Sequence, residues 1–198
     1  MKYNDIRRPA RAVRIGRVTV GGNAPIAIQS MTNTDPHDVA ATLSQIRALA
    51  AAGCDIVRLT VPDREAAETV RVIKESGVQI PIVADIHFDY RLALQCAEYG
   101  VDKIRINPGN IGGEDRVRAV ADACRARHIP IRIGVNSGSL EKHILEKYGA
   151  PTPEALCASA LYHASLLEKF DFEDEVTQLS DIFADYEAFE NGSLQLKK

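Results

Sequence analysis

Five short apolar runs constrain this chain more than any other feature. They cover 25–32, 55–61, 80–86, 103–107 and 129–135, and they are rich in Val, Ile and Leu. Between them the apolar residues recur at helical spacing, as at Val39, Leu43, Ile46 and Leu49, or at Ala66, Val70 and Ile73. Runs of that length and β-branched content read as strands, and the intervening stretches read as helices. The helices carry their own boundaries. Asp35 with Pro36, Asp63, and Thr152 with Pro153 are set as N-terminal caps, and Gly53, Gly77 and Gly100 as stops. The near-even spacing of those glycines, and the echo of Gly53-Cys54-Asp55 in Gly100-Val101-Asp102, mark an internal βα repeat. Further helices are expected over 90–99, 114–127, 139–148, where Ser139 is placed to cap, and 153–169.

Strands that are almost continuously apolar are buried on both faces, which requires a parallel sheet covered by helices. A (βα)8 barrel and an open doubly wound sheet both satisfy this. Polar residues close every strand, at Gln29, Thr60, Asp85 with His87, Asn107 and Asn136. Barrel sites draw residues from many strand ends, whereas an open-sheet site gathers at one switch point, often with a G-x-G-x-x-G turn that this chain lacks. The expectation is a partial TIM-barrel-type α/β sheet of about five βα units over residues 1–170. A divergent acidic tail over 171–198 follows it.

That tail holds eight acids against Lys197 and Lys198. The resulting local charge of −6 leaves +3 for the rest of a chain whose total is −3. Such a chain is no nucleic-acid binder by electrostatics, and a mildly basic body suits a small anionic ligand. Val176, Leu179, Ile182, Phe183, Tyr186 and Phe189 form a helical stripe that Asn191-Gly192 can stop, so a helix is expected over 175–190. The Arg-rich start (Arg7, Arg8, Arg11, Arg14, Arg17) lacks the interleaved aromatics of a nucleic-acid arm. Alternating Val13, Ile15, Val18 and Val20 point instead to an entry hairpin. No apolar run is long enough for a membrane span and no signal peptide is recognisable, so a reducing cytoplasm is expected. Cys54, Cys96, Cys124 and Cys157 are scattered without a C-x-x-C pair, which suggests core residues and neither a metal site nor a disulfide framework.

Three of the strands contain an arginine: Arg58, Arg105 and Arg132. A guanidinium in an apolar strand is costly unless a negative group meets it. Each could pair internally with Asp55, Asp85 or Asp102, or all three could converge on one multiply charged ligand. Asn107-Pro108-Gly109-Asn110-Ile111-Gly112-Gly113 is either a phosphate cradle or a plain turn, since Glu114 and Asp115 already complement the following helix. Asp85 and His87 share one side of a strand end, as an acid/base pair, a metal pair, or a simple hydrogen bond. His143 and His163 fall in helices and read as surface residues.

Together these motifs resemble one family. They are Gly22–Thr34, Val57-Arg58-Leu59-Thr60-Val61-Pro62, Ala84–Tyr90, Lys103–Gly112 and Ile131–Leu140. They are similar to 4-hydroxy-3-methylbut-2-en-1-yl diphosphate synthase, an iron–sulfur enzyme of non-mevalonate isoprenoid synthesis, over about residues 10–172. The resemblance implies a TIM barrel whose full-length enzyme reductively opens 2-C-methyl-D-erythritol 2,4-cyclodiphosphate. It implies a 4Fe-4S cluster on a separate carboxyl-terminal domain, reduced flavodoxin or ferredoxin as donor, and a homodimer or complementing chain. Carried across by motif, Arg58, Arg105, Asn107, Arg132 and Asn136 would hold the diphosphate, with Gln29, Asp85 and His87 as further candidates. After Asp174 the family continues into a sixth strand with a substrate-binding lysine, where this chain has its acidic stripe. The cluster's ligands are not present here, so the chain alone is expected to be inactive. A non-redox barrel enzyme similar to the pterin-binding synthases, or a non-catalytic diphosphate- or partner-binding piece, are the alternatives.

Overall fold

A computed structural model describes residues 10–172 and 176–177. An antiparallel hairpin of β1 (Val13–Ile15) and β2 (Val18–Val20) comes first. It is followed by six parallel strands: β3 (Gln29–Met31), β4 (Ile56–Thr60), β5 (Ile82–Ile86), β6 (Lys103–Ile106), β7 (Ile131–Ile133) and β8 (Val176–Thr177). The helices between them are α1 (Val39–Ala51), α2 (Arg64–Glu75), α3 (Tyr90–Glu98), the single turn α4 (Pro108–Ile111), α5 (Glu114–Arg125), α6 (Lys142–Tyr148) and α7 (Pro153–Lys169). Spatial order in the sheet equals chain order. A doubly wound sheet reverses its order at a switch point, so this arrangement is that of a barrel wall.

Alternation along each strand sorts the side chains between two faces. Val57, Leu59, Ile82, Ala84, Ile86, Ile104, Ile106, Ile131 and Ile133 pack outward against helix residues such as Val70, Ile73, Cys96, Val120 and Leu167 in the main core. The opposite face starts with Ile56 and Val83, which pack on Ile15 of the entry hairpin. The hairpin thus closes one end of the inner face. The residues further along that face, Arg58, Asp85, Lys103, Arg105 and Arg132, are the polar ones.

Four local expectations change. Only Gln29–Met31 of the first run is a strand, and Ile26 and Ile28 are each 61% exposed. Among the described residues β3 is the edge of the sheet, and the carboxylate of Asp55 accepts from Ile28 N at 2.8 Å where a ladder bond would run. Helix α1 starts at Val39 with Asp38 as its cap, because Asp35 turns back to accept from His37 N at 2.9 Å. Ser139 ends a 3-10 turn (Ser137–Ser139) instead of capping a helix, and α6 begins only at Lys142. Val176–Thr177, expected as helix, pairs with β7 as a sixth parallel strand, since an apolar β-branched residue beside an open edge completes a ladder there. The rest of the proposed 175–190 helix lies outside the described residues.

His37 ties the β3–α1 turn to the start of α2. Its Nδ1 lies 3.0 Å from Asp35 Oδ1 and its Nε2 lies 2.9 Å from Asp63 Oδ2, while Asp63 also caps α2. The Asp63 hydrogen bond, together with both carboxylates' charge, raises the imidazole above 6.5. A raised histidine stabilises the fold fully below the unfolded value of 6.5 and loses that contribution as pH rises through the folded value. His37→Ala is therefore expected to lower the melting temperature at pH 6 and to converge with the parent by pH 9. A gap independent of pH would contradict the linkage.

Candidate functional site

Strand register aligns the inner polar residues in two rows. Met31, Arg58, Val83 and Lys103 are successive partners across β3 to β6. Thr60, Asp85, Arg105 and Arg132 are successive partners across β4 to β7. Because all pairs are parallel and the period is two, each row faces one side. Four cationic side chains and the carboxylate of Asp85 therefore share the inner wall.

Asp85, 2% exposed, is the centre of the cluster. Arg105 Nη1 donates to its Oδ1 at 3.0 Å, and Arg58 Nε lies 3.6 Å from its Oδ2. The internal pairing considered for the arginines thus occurs for Arg58 and Arg105, both with Asp85. Asp102 instead meets Lys74 at 2.6 Å, and Asp55 meets the backbone of Ile28. Two guanidiniums thus share one carboxylate, and their planar forks have the geometry that also suits phosphoryl oxygens. His87 lies 3.8 Å from Asp85 Oδ1, on the turn that also carries the exposed Phe88.

Two inner residues escape a reading by motif. Lys103 is 5% exposed and donates to Gln29 Oε1 at 3.4 Å, which draws the candidate Gln29 to the same cluster. Burial, reinforced by the charges of Arg132 and Arg58, pushes its ammonium down to about 8. Gly134 lies against Arg105, where an added Cβ would sit 2.2 Å from Arg105 Nε. The signal for both was parity, since Lys103 is two residues before Arg105 and Gly134 two residues after Arg132.

Above the wall, the turns after β6 and β7 carry the two asparagines. Asn107 Oδ1 accepts from Gly109 N at 3.2 Å and caps α4, while its Nδ2 donates to Ser139 Oγ. Ser139 Oγ in turn donates to Asn136 Oδ1 at 3.0 Å, and Asn136 also accepts from Gly138 N at 3.1 Å. Ser139, expected as a helix cap, instead bridges the two candidates. The Asn107–Gly113 stretch closes as the capped turn α4, and Arg116 folds over Gly112.

His163, expected on the surface, is 2% exposed and hydrogen-bonded to Glu141. Helix α7 is apolar on most of its circumference, so periodicity alone does not say which side is inside.

The described residues do not fit an iron–sulfur cluster. The four cysteines lie in separate parts of the chain and form no disulfide, and three are buried. Burial pushes the Cys96 thiol up to about 12, away from the thiolate a cluster needs. Among the described residues no three His, Cys, Asp or Glu side chains gather as metal ligands, and no helix is long and apolar enough to cross a membrane.

The model of the GcpE TIM-barrel domain matches residues 10–193. The chain belongs to the GcpE TIM-barrel family. The family match runs past residue 172, into the acidic stretch. Among curated relatives of this GcpE-type barrel, the 4-hydroxy-3-methylbut-2-en-1-yl diphosphate synthase (flavodoxin) of Azotobacter vinelandii is 62% identical over 179 residues, 89% of this chain and 48% of that protein. The protein of the same name from Pseudomonas putida is 60% identical over 185 residues, 92% of this chain and 50% of its own length. The chain spans about half the length of the curated relatives it matches. Among solved structures, the dihydropteroate synthase of Yersinia pestis superposes with a TM-score of 0.62 at 8% identity, covering 91% of this chain and 70% of that one. The 7,8-dihydropteroate synthase of Vibrio fischeri gives 0.60 at 10% identity, covering 92% and 74%. At such identities the likeness is one of fold.

Proposed function

We propose that this GcpE-type barrel binds the diphosphate of a small cyclic substrate and is the substrate-holding part of a reductive synthase in isoprenoid formation. The observation that carries the reading is the inner wall, where Arg58, Arg105 and Arg132 come from three neighbouring strands and two of them meet Asp85. Planar guanidiniums offer paired donors matched to phosphoryl oxygens, and a partly neutralised buried cluster favours a multiply charged anion. Asn107 and Asn136, joined through Ser139, add neutral donors at the rim.

The names of the relatives supply the product and flavodoxin of the finer reading, and the family resemblance supplies the rest. The substrate would be 2-C-methyl-D-erythritol 2,4-cyclodiphosphate, opened to 4-hydroxy-3-methylbut-2-enyl diphosphate with electrons from reduced flavodoxin or ferredoxin. When bound, a 4Fe-4S cluster supplies single electrons to such a ring opening. Its ligands would come from outside this chain, through the remainder of a longer protein or a different, complementing chain. In that scheme the partial barrel before residue 171 contributes binding and orientation but no turnover of its own.

Calorimetric titration of the full chain with inorganic pyrophosphate tests the site. Arg58→Lys, Arg105→Lys and Arg132→Lys each keep the charge but lose the fork, and each is expected to weaken binding about tenfold or more. Unchanged affinity in all three variants overturns the assignment.

A further inference from the structure

The turns that carry Asn107 and Asn136 follow different strands, so some contact must set their spacing. Ser139 joins them at the rim. A second connection runs beneath. Glu141 stands just before α6, where its side chain makes no cap hydrogen bond to its own helix. Its carboxylate reaches back under the turn after β6, and a Cβ at Gly109 would lie 2.9 Å from Glu141 Oε1 and 2.8 Å from the carbonyl oxygen of Ser139. Only a glycine at 109 lets the two turns approach so closely. The same Glu141 oxygen is hydrogen-bonded to His163 Nε2, from the buried side of α7.

A carboxylate and an imidazole inside a helix layer are costly, and an apolar pair would fill that space more simply. Their neighbours on the inner side of α7 are Ala160, Ala164 and Leu167, which pack in the main core. The pair therefore bolts the 137–141 segment to a rigid helix. Burial raises the Glu141 carboxyl, but the hydrogen bonds from His163 and from its own backbone N–H outweigh it, and the group stays below its ordinary value. Glu141 is thus an ionised acceptor for His163 at neutral pH.

We propose that the buried Glu141–His163 pair is a positioning device that fixes the turns bearing Asn107 and Asn136 for an incoming diphosphate. The proposal rests on the diphosphate reading above. Neither residue touches the ligand. Their part is to keep the two asparagine side chains in the binding-competent arrangement before the anion arrives. If that arrangement is populated only a tenth of the time, apparent affinity falls about tenfold.

The test uses the full chain with Glu141→Ala, Glu141→Gln and, as a control in the same region, Ile144→Val. Three quantities are read: pyrophosphate affinity, melting temperature, and the side-chain amide NMR signals of Asn107 and Asn136. Glu141→Ala is expected to weaken pyrophosphate about tenfold and to shift or broaden both asparagine signals. Glu141→Gln keeps an oxygen that accepts from His163 and is expected to restore most of the affinity. Ile144→Val is expected to lower the melting temperature while leaving affinity and both signals in place. If Glu141→Ala does not fold, His163→Leu, which removes the donor, takes its place, with the same expected losses. Parental affinity and unmoved asparagine signals in the alanine variant overturn the proposal, as does an equal affinity loss in Ile144→Val. If the parent binds no pyrophosphate, the diphosphate reading fails. Displaced signals in Glu141→Ala would still show the pair setting the turns, and unmoved ones would refute it.

Discussion

Gly134→Ala is expected to lower the melting temperature by roughly 10 °C and to abolish tight pyrophosphate binding, although it adds a single methyl group. The added Cβ would sit 2.2 Å from Arg105 Nε, 2.3 Å from Nη2 and 2.5 Å from Cζ. Every one of those atoms belongs to the guanidinium, so the whole group must leave. Its departure strips Asp85, 2% exposed, of its 3.0 Å partner. Breaking a buried ion pair from one side costs about 3–5 kcal/mol because the remaining charge stays desolvated. Arg58, at 3.6 Å, compensates only in part. A double-mutant cycle decides whether Arg105 is the intermediary. In an Arg105→Ala background, Gly134→Ala should cost little, since the clash is gone. Full additivity, or a parental melting temperature in the single variant, would contradict the mechanism.

The same pair of residues shows what could be read from the chain alone. The arginines announced themselves, because a charge in an apolar strand has few explanations. Whether they meet an internal carboxylate or an external anion was not decidable from residue types, as both use the same guanidinium. Register shows the internal carboxylate for Arg58 and Arg105. The row Thr60, Asp85, Arg105, Arg132 puts Asp85 beside Arg105, and the preceding row brings Arg58 within reach. Strand and helix order was legible because periods of 2 and 3.6 are local properties, and Asp63, Asp89 and Thr152 cap their helices through local hydrogen bonds. Exposure of Ile26 and Ile28 was not legible, since an apolar run does not say which strand covers it. Nor was the burial of His163, where a helix apolar on most sides conceals its inner face. Ser139 was misjudged for a related reason. A hydroxyl before a helical pattern suits a cap, but here a neighbouring turn supplies Asn107 and Asn136 as competing partners.

Lys103→Met is expected to stabilise the fold by on the order of 3 kcal/mol at pH 7 while weakening pyrophosphate binding, so that stability and affinity move in opposite directions. Lys103 is 5% exposed, with Gln29 as its hydrogen-bond acceptor and the guanidiniums of Arg132 and Arg58 near enough to oppose its charge. Burial first, then those two charges, lower the ammonium from 10.5 to about 8. The sign follows from proton counts. Between pH 8 and 10.5 the unfolded chain holds a proton on this lysine that the fold has released, so stability rises with pH across that window. Below pH 8 both states are protonated, and the full penalty of a buried cation is present. Methionine has a similar length and no charge, so the variant lacks both the penalty and the rise. Gln29 sits on the exposed edge strand and can turn its amide to water. The penalty is tolerable if the cation has a use when an anion occupies the wall. A bound diphosphate would offset the repulsion from Arg58 and Arg132 and draw the lysine's pKa back up. Binding at pH 8.5 would then take up a proton, visible as a dependence of the calorimetric heat on the ionisation enthalpy of the buffer. The methionine variant is expected to bind more weakly and to show less uptake. If Lys103→Met is no more stable than the parent at pH 7, or if the two keep a constant stability difference from pH 8 to 10.5, then this lysine is not the strained cation that its surroundings imply.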